Sequence, residues 1–290
     1  MIERDLRIRI GTDARRVAEL ALAEVGPQDI TTAVTIPAGQ GGTGAIEFRT
    51  GGILAGTPYA DAVASAAGLP PITWYHAPGT AVAPGATAGL VRGDLARILV
   101  AERPLLNLLQ RAVGIATLTQ AYVARVKHTR ARILHTRKTA PGLRLLDVSS
   151  VLAGGGHAHR LDLAETVMVK DNHWRGLERS GRALRDALRA AREAGASRCF
   201  VEVETLEQLA LACEAGADRL LVDNQTPATV RAWAERARLL SRDIEIEATG
   251  GITLENVASY AEAGADYISI GAFTHSVTAA DVALEIRDET

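Results

Sequence analysis

Cysteine is scarce in this chain of 290 residues, with Cys199 and Cys213 its sole representatives. Their separation fits neither a CxxC pair nor a metal-ligand spacing, which excludes a disulfide scaffold and reads as two buried thiols in a reducing compartment. Long apolar runs are also missing. None approaches the roughly 20 residues needed to span a bilayer, so no membrane partner is expected. The start, Met1-Ile2-Glu3-Arg4-Asp5, lacks the basic segment and apolar run of a signal peptide, and a cytoplasmic location is the expectation. Charge of one sign is lacking too. A net charge of −2 offers no global attraction for nucleic acid or acidic membranes, so any cationic site must be local. Lysine is the last scarcity: nearly all positive charge is written as Arg, leaving Lys127, Lys138 and Lys170. Lys127 ends a helical stretch and looks incidental, whereas Lys138 and Lys170 read either as chance survivors or as places where a compact ammonium is wanted.

What is present is an ordinary globular composition, 47% hydrophobic and 23% charged, long enough for one large barrel domain and a smaller accessory domain. Up to about Gly93 the chain is rich in Gly, Pro, Thr and Ala. Thr12 or Asp13 is placed to cap an amphipathic helix through Val25, with Val17, Leu20, Ala21 and Val25 on one face. Strands are expected at Thr43–Thr50, Ile53–Ala55, Ile72–Tyr75, Ala81–Ala83 and Ala86–Val91, with a short helix at Pro58–Ala67. From Asp94 a helical pattern runs to Lys127, and Pro104 should kink or restart it.

The second half repeats short apolar runs: Ala131–Leu134, Thr166–Val169, Cys199–Val203, Arg219–Val222, Ile244–Ala248 and Tyr267–Ile270. Helical patterns at Leu177–Ala194, Leu206–Ala215, Pro227–Leu240 and Leu254–Ala263 separate most of them, and Gly195, Gly216 and Gly264 stand where helices end. This alternation implies parallel strands with helical crossovers. The expected fold is α/β: a parallel α/β barrel of about six strands, TIM-like, with a smaller N-terminal α+β domain. The expected boundaries are 1–107 for the small domain, 108–275 for the barrel, and 276–290 for a C-terminal segment.

In a parallel barrel the loops after the strands meet at one mouth. Here they begin His135-Thr136-Arg137-Lys138, Lys170-Asp171-Asn172-His173, Glu202 with Glu204, Asp223-Asn224, Thr249-Gly250-Gly251, and Gly271. Any one charged loop residue is ordinarily solvated, but six strand ends in succession supplying charge or glycine favour a site. Arg137, Lys138, Lys170, His159 and Arg160 supply cations suited to carboxylates. Glu202 and Asp223 suit Mg²⁺, sugar hydroxyls or a developing positive charge. Gly250, Gly251 and Gly271 expose backbone N–H groups suited to phosphate. The Gly-Gly turn alone is weak evidence. His157 and His159 form only an H-x-H pair with no third ligand at metal spacing, and Arg103 alone reads as a structural ion-pair residue.

Several strings resemble the quinolinate phosphoribosyltransferase family. They include Gly51-Gly52-Ile53-Leu54-Ala55-Gly56, Glu102-Arg103-Pro104-Leu105-Leu106-Asn107, and Thr136-Arg137-Lys138-Thr139-Ala140-Pro141-Gly142-Leu143-Arg144. To these are added His159-Arg160, Lys170-Asp171-Asn172-His173, Val222-Asp223-Asn224 and Ile268-Ser269-Ile270-Gly271. The resemblance spans nearly the whole chain. It implies an enzyme, a pentosyltransferase that joins quinolinate to phosphoribosyl pyrophosphate with Mg²⁺ and no organic cofactor. The products would be nicotinate mononucleotide, pyrophosphate and CO2, a step of NAD biosynthesis.

The same resemblance implies that Arg137, Lys138, His159 and Arg160 clamp the quinolinate carboxylates, with Arg103 arriving from a neighbouring subunit of a homodimer or larger assembly. Lys170 would meet substrate and phosphates, and Glu202 and Asp223 the ribose and metal. Lys138, Lys170, Glu202 and Asp223 are thus the expected catalytic residues. Thr249, Gly250, Gly251, Ser269 and Gly271 complete the substrate-binding set, the glycines holding the 5′-phosphate, and the C-terminal segment would return to the small domain. Thr249 stands where the family usually has Ser, and His135, Ala158 and Val113 are further departures. The run Arg160–Thr166 leans toward a molybdate-transport-associated relative, but Lys170 through His173 favours the transferase. An aldolase-type phosphate-binding barrel, with Lys170 as Schiff-base amine, needs fewer cations than are present. A noncatalytic nucleotide sensor would tolerate loss of Glu202 and Asp223.

Overall fold

A computed structural model of the chain describes residues 2–164 and 166–287, with side chains from Asp5 onward. In chain order the elements are α1 (Ile2–Ala23), α2 (Ile30–Thr35), β1 (Gly41–Phe48), β2 (Gly52–Ile53), α3 (Thr57–Ala66), β3 (Thr73–Trp74), β4 (Ala81–Val82) and β5 (Thr87–Asp94). The long α4 (Leu95–Val126) leads to β6 (Arg132–His135), α5 (Arg144–Ala153), β7 (Thr166–Val169), α6 (Asp171–Ser180) and α7 (Leu184–Glu193). Then follow β8 (Arg198–Val203), α8 (Leu206–Glu214), β9 (Arg219–Asp223), α9 (Pro227–Leu240), β10 (Glu245–Thr249), α10 (Val257–Glu262), β11 (Tyr267–Ile270), α11 (Ala272–His275) and β12 (Val282–Arg287).

These elements divide into two compact units. The first takes residues 2–120, 137–156 and 272–287, and the second takes 121–136 and 157–271. The first gathers two later pieces of chain beside its N-terminal run. It contains a four-stranded sheet in the order β12-β1-β5-β3 and the small β2-β4 ribbon. The last strand, β12, runs antiparallel to β1, pairing Val282 with Phe48 through to Arg287 with Thr43. Its core packs Ile46, Phe48, Leu54, Tyr59 and Val63 against Ile98, Leu105 and Leu109 of α4.

The second unit is a six-stranded parallel half-barrel in the order β6-β11-β10-β9-β8-β7. The edges β6 and β7 share no ladder, and a single parallel bridge from Leu134 to His157 lies beside β6. Gly195, Gly216 and Gly264 take φ of 93°, 79° and 95°, the left-handed conformation that ends α7, α8 and α10.

Four local expectations are corrected. The first helix starts at Ile2, so neither Thr12 nor Asp13 caps it; Asp13 sits mid-helix and accepts from Arg16 Nη2 at 2.7 Å and from the Tyr59 hydroxyl at 2.8 Å. Its buried face is Ala14, Val17 and Ala18, which leaves Leu20 58% exposed. The helix from Leu95 runs unbroken through Pro104. One lost N–H bond is outweighed there by the complete burial of Leu105 and Leu109. The expected Leu177–Ala194 helix is two helices, because Gly181 at φ 66° closes α6.

Gly154 shows how closely α5 meets α4. A Cβ there would lie 2.4 Å from the Ala116 carbonyl and 2.7 Å from the Thr119 Cβ. Gly154→Ala should therefore cost about 1–3 kcal/mol by overpacking. Gly176 in α6 has open space around it, and Gly176→Ala should be neutral or stabilising by about 1 kcal/mol or less. Thermal melts of the two variants check this, and equal melting points would contradict the close approach.

Candidate active site

Strands β7 to β10 all deliver functional groups to their C-terminal ends. Lys170 follows β7 directly, Glu202 is the penultimate residue of β8, and Asp223 and Thr249 close β9 and β10 as register partners. Lys170 is also the N-cap of α6, and His173 reaches back to accept its backbone N–H at 3.0 Å. That turn fixes the lysine stem, so the Lys-Asp-Asn-His string has a local structural reason beside any chemical one. The Lys170 ammonium meets Glu202 Oε2 at 2.5 Å. The Glu202 carbonyl accepts from the buried Trp174 indole at 2.8 Å, which pins the end of β8.

Asp223 shares this edge. Burial pushes its carboxyl above the usual range, and repulsion from Glu202 adds to the rise, while the Asn224 amide at 2.7 Å and the Lys170 charge oppose it. The edge thus holds two carboxylates that interact with one ammonium. A positive centre arriving there would relieve that repulsion.

Beyond Asp223 the backbone turns sharply. Asn224 has φ 52°, and its N–H donates to the Thr249 carbonyl at 2.9 Å. Gly250 packs directly on it: a Cβ would fall 2.3 Å from Asn224 Oδ1. Gly250 and Gly251 take φ of 83° and 60°, so only glycine suits both positions. Neither of their N–H groups donates a hydrogen bond among the described residues. Successive left-handed glycines with unspent N–H groups form a cradle for an anion.

His159 and Arg160 lie on the loop after α5. The buried His159 ring places Nε2 3.3 Å from Glu247 Oε1, while its Nδ1 accepts the Arg160 N–H at 2.7 Å. Both ring nitrogens are engaged. The His159 N–H donates to His135 Nε2 at 3.0 Å, tying the loop to β6. The Arg160 guanidinium follows β7, donating to the Thr166 carbonyl at 3.1 Å and approaching Met168 Sδ at 3.3 Å. Ser269, expected to meet substrate, lies buried in β11 and its hydroxyl donates to Glu247.

In the first unit, Arg137 and Lys138 follow β6 in the chain. Arg137 Nε is buried without a hydrogen-bond partner among the described residues, and the Lys138 carbonyl accepts from Thr274 Oγ1 at 2.8 Å. Arg103 is 72% exposed, pairs with Glu102 at 3.3 Å, and lines a cavity of about 690 Å³ together with Arg16, Leu20, Asp29 and Arg111.

Sequence reasoning missed the charge network inside the half-barrel. Glu247 is 1% exposed and binds Arg219 Nη1 at 2.9 Å as well as His159 and Ser269. Arg219 also pairs with Glu245 at 2.8 Å and stacks on Tyr267 at 3.6 Å and Phe200 at 4.4 Å. The signal was present in Glu245-Ile246-Glu247-Ala248-Thr249, where polar residues alternate along an otherwise apolar strand.

Comparisons agree over most of the chain. The family model for the quinolinate phosphoribosyl transferase N-terminal domain matches residues 29–113, and that for the C-terminal domain matches 115–285. The chain is 38% identical over 263 residues to a carboxylating nicotinate-nucleotide pyrophosphorylase of Mycobacterium leprae, covering 89% of this chain and 91% of that protein. A probable carboxylating nicotinate-nucleotide pyrophosphorylase of Methanothermobacter thermautotrophicus is 37% identical, covering 93% and 98%. The solved nicotinate-nucleotide pyrophosphorylase of Francisella tularensis superposes with a TM-score of 0.87 at 29% identity, covering 96% of this chain and 97% of that one.

Burial alone would raise the Glu247 carboxyl, but the His159 hydrogen bond, the Arg219 charge and the Ser269 hydroxyl outweigh it and hold it at about 2, below its ordinary 4.5. A carboxyl lowered on folding stabilises fully above about pH 4.5 and loses that contribution as pH falls toward 2. Glu247→Gln should cost about 3–5 kcal/mol at pH 7, since Arg219 would lose a buried partner. The gap between wild type and variant should close between pH 4.5 and 2, and equal melting points at pH 7 would contradict it.

Proposed function

The chain belongs to the quinolinate phosphoribosyltransferase family, and from that membership we propose how its residues divide the reaction. The enzyme is a pentosyltransferase that joins quinolinate to phosphoribosyl pyrophosphate with loss of CO2, as a step toward NAD. The reading rests most heavily on the Lys170–Glu202 pair beside Asp223, at the edge that also carries the unbonded Gly250 and Gly251 N–H groups.

As the pyridine nitrogen bonds to the ribose C1 and the bond to diphosphate breaks, oxocarbenium-like charge builds on the sugar and then passes to the ring nitrogen. We assign Glu202 and Asp223 to the ribose, where their carboxylates stabilise that charge more than they stabilise the bound substrate. Lys170 balances Glu202 in the free enzyme and turns to phosphate or substrate when they arrive. Gly250 and Gly251, with Thr249 and Gly271 beside them, take the 5′-phosphate. Departure of CO2 from C2 leaves its electron pair beside the now positive ring nitrogen, which that charge and positive side chains favour, and a proton from water then takes up the pair.

Arg137 and Lys138 are assigned to the substrate carboxylates. The buried, unpartnered Nε of Arg137 supports this, because a desolvated donor gains most from an incoming acceptor. In the second unit, Arg160 is given the same class of target. His159 is given the role of orienting that loop, and Ser269 acts through Glu247. Glu202 and Asp223 are oxygen donors of the kind Mg²⁺ uses alongside substrate phosphates. When bound, that ion neutralises charge on the leaving diphosphate.

A homodimer and a cytoplasmic location complete the proposal. Exposed Leu20, Ile30 (68%) and Val34 (78%) in the first unit, together with Arg103 beside the cavity, support a subunit contact on that face. No helix of the described residues is long and apolar enough to cross a membrane.

Purified enzyme should release CO2 from quinolinate only with phosphoribosyl pyrophosphate and Mg²⁺ present. Nicotinate lacks one carboxylate and should be poorer by about tenfold to a hundredfold for each charge-assisted bond it forfeits. Equal turnover of the two acids would refute the carboxylate assignment. Arg137→Ala should weaken quinolinate binding far more than phosphoribosyl pyrophosphate binding.

A further inference from the structure

We infer that Asp147, Arg111 and Thr274 are positioning residues that set the Arg137–Lys138 segment for the substrate carboxylates. The inference rests on the assignment of Arg137 and Lys138 made above. Asp147 stands in the first turn of α5 and is wholly buried. Its two oxygens take a parallel pair of bonds from Arg111 Nε and Nη2, each 2.8 Å. One of those oxygens also accepts the Ala140 N–H at 3.2 Å. Arg111 Nη2 continues to the Thr274 carbonyl at 2.8 Å, and Thr274 Oγ1 donates to the Lys138 carbonyl at 2.8 Å. The segment is therefore held on both sides of Thr139, at Lys138 by α11 and at Ala140 by α5, with α4 bridging the two supports.

Stability alone is a poor reason for this arrangement. A buried ion pair rarely outperforms apolar residues of the same volume, because both charges lose their water. Burial indeed pushes the Asp147 carboxyl up, against the pull of Arg111 and the Ala140 N–H. What the pair supplies that Leu and Met could not is direction. An arginine fork on a carboxylate fixes both partners in one plane, and each passes a further bond to backbone. Arg137 Nε, buried and unpartnered in the same segment, is the kind of group whose usefulness depends on being held still.

The test uses the full-length enzyme with quinolinate and phosphoribosyl pyrophosphate varied separately. Thr274→Val keeps the side-chain volume and removes one hydrogen bond. It should raise the KM and Kd for quinolinate about threefold to tenfold, the range one such bond carries, with the phosphoribosyl pyrophosphate KM unchanged. Thr274→Ser, which keeps the hydroxyl, should restore quinolinate affinity. Asp147→Asn should act in the same direction and more strongly; if it fails to fold, the two Thr274 variants decide alone. A purely structural role predicts lower melting points and less active protein at an unaltered quinolinate KM. That result, or wild-type quinolinate affinity in Thr274→Val while Arg137→Ala loses it, overturns the inference. Wild-type affinity in Arg137→Ala overturns the carboxylate assignment itself and the inference with it.

Discussion

Six strands running in one direction impose the constraint from which the site follows. Because β6 to β11 are all parallel, every C-terminal end lies on one edge of the sheet and every N-terminal end on the other. Charged groups cannot sit mid-strand in a buried sheet without partners, so they collect at the ends or pair internally. The two edges resolve this differently. Arg198, Arg219 and Glu245, each the first residue of its strand, neutralise one another, and Glu247 just inside them closes the network with His159 and Ser269. At the opposite edge the account does not close. Asp223 is held above its usual range beside Glu202, and two glycine N–H groups have no acceptor among the described residues. Satisfied charge reads as architecture, and unsatisfied charge reads as chemistry.

The choice between lysine and arginine follows the same division. Where geometry must be held, the chain uses Arg: Arg111 forks onto Asp147, and Arg219 reaches both Glu245 and Glu247. Where the proposed function has a charge exchange partners during turnover, the residue is Lys. Lys170 rests its ammonium on one oxygen of Glu202 and remains about two-fifths exposed, a contact a phosphate can replace.

Much of this was legible in the sequence because it obeys linear rules. Short apolar runs marked the six parallel strands to within a residue or two, glycines marked the ends of α7, α8 and α10, and the residue after each run fell at the C-terminal edge of the sheet. The misses obey rules that are not linear. Glu247 and His159 meet only because the sheet register and the loop after α5 bring them together. The α5 helix itself passed unnoticed, since Asp147 and Ser150 disguise its apolar face with buried polar groups that bond inside the fold. Pro104 does not restart the helix, because the local cost of a proline says nothing about the burial of its neighbours.

Hydrogen–deuterium exchange with phosphoribosyl pyrophosphate and Mg²⁺ present, and quinolinate withheld, reads the functional edge directly. Protection should appear at residues 170–173, 223–226 and 249–253, the loops leaving β7, β9 and β10. The entering segments 195–198, 216–219 and 243–245 should exchange as they do in the free enzyme. Protection confined to those entering segments, or absent from both sets at saturating ligand, would contradict the claim that the unsatisfied edge is the reactive one.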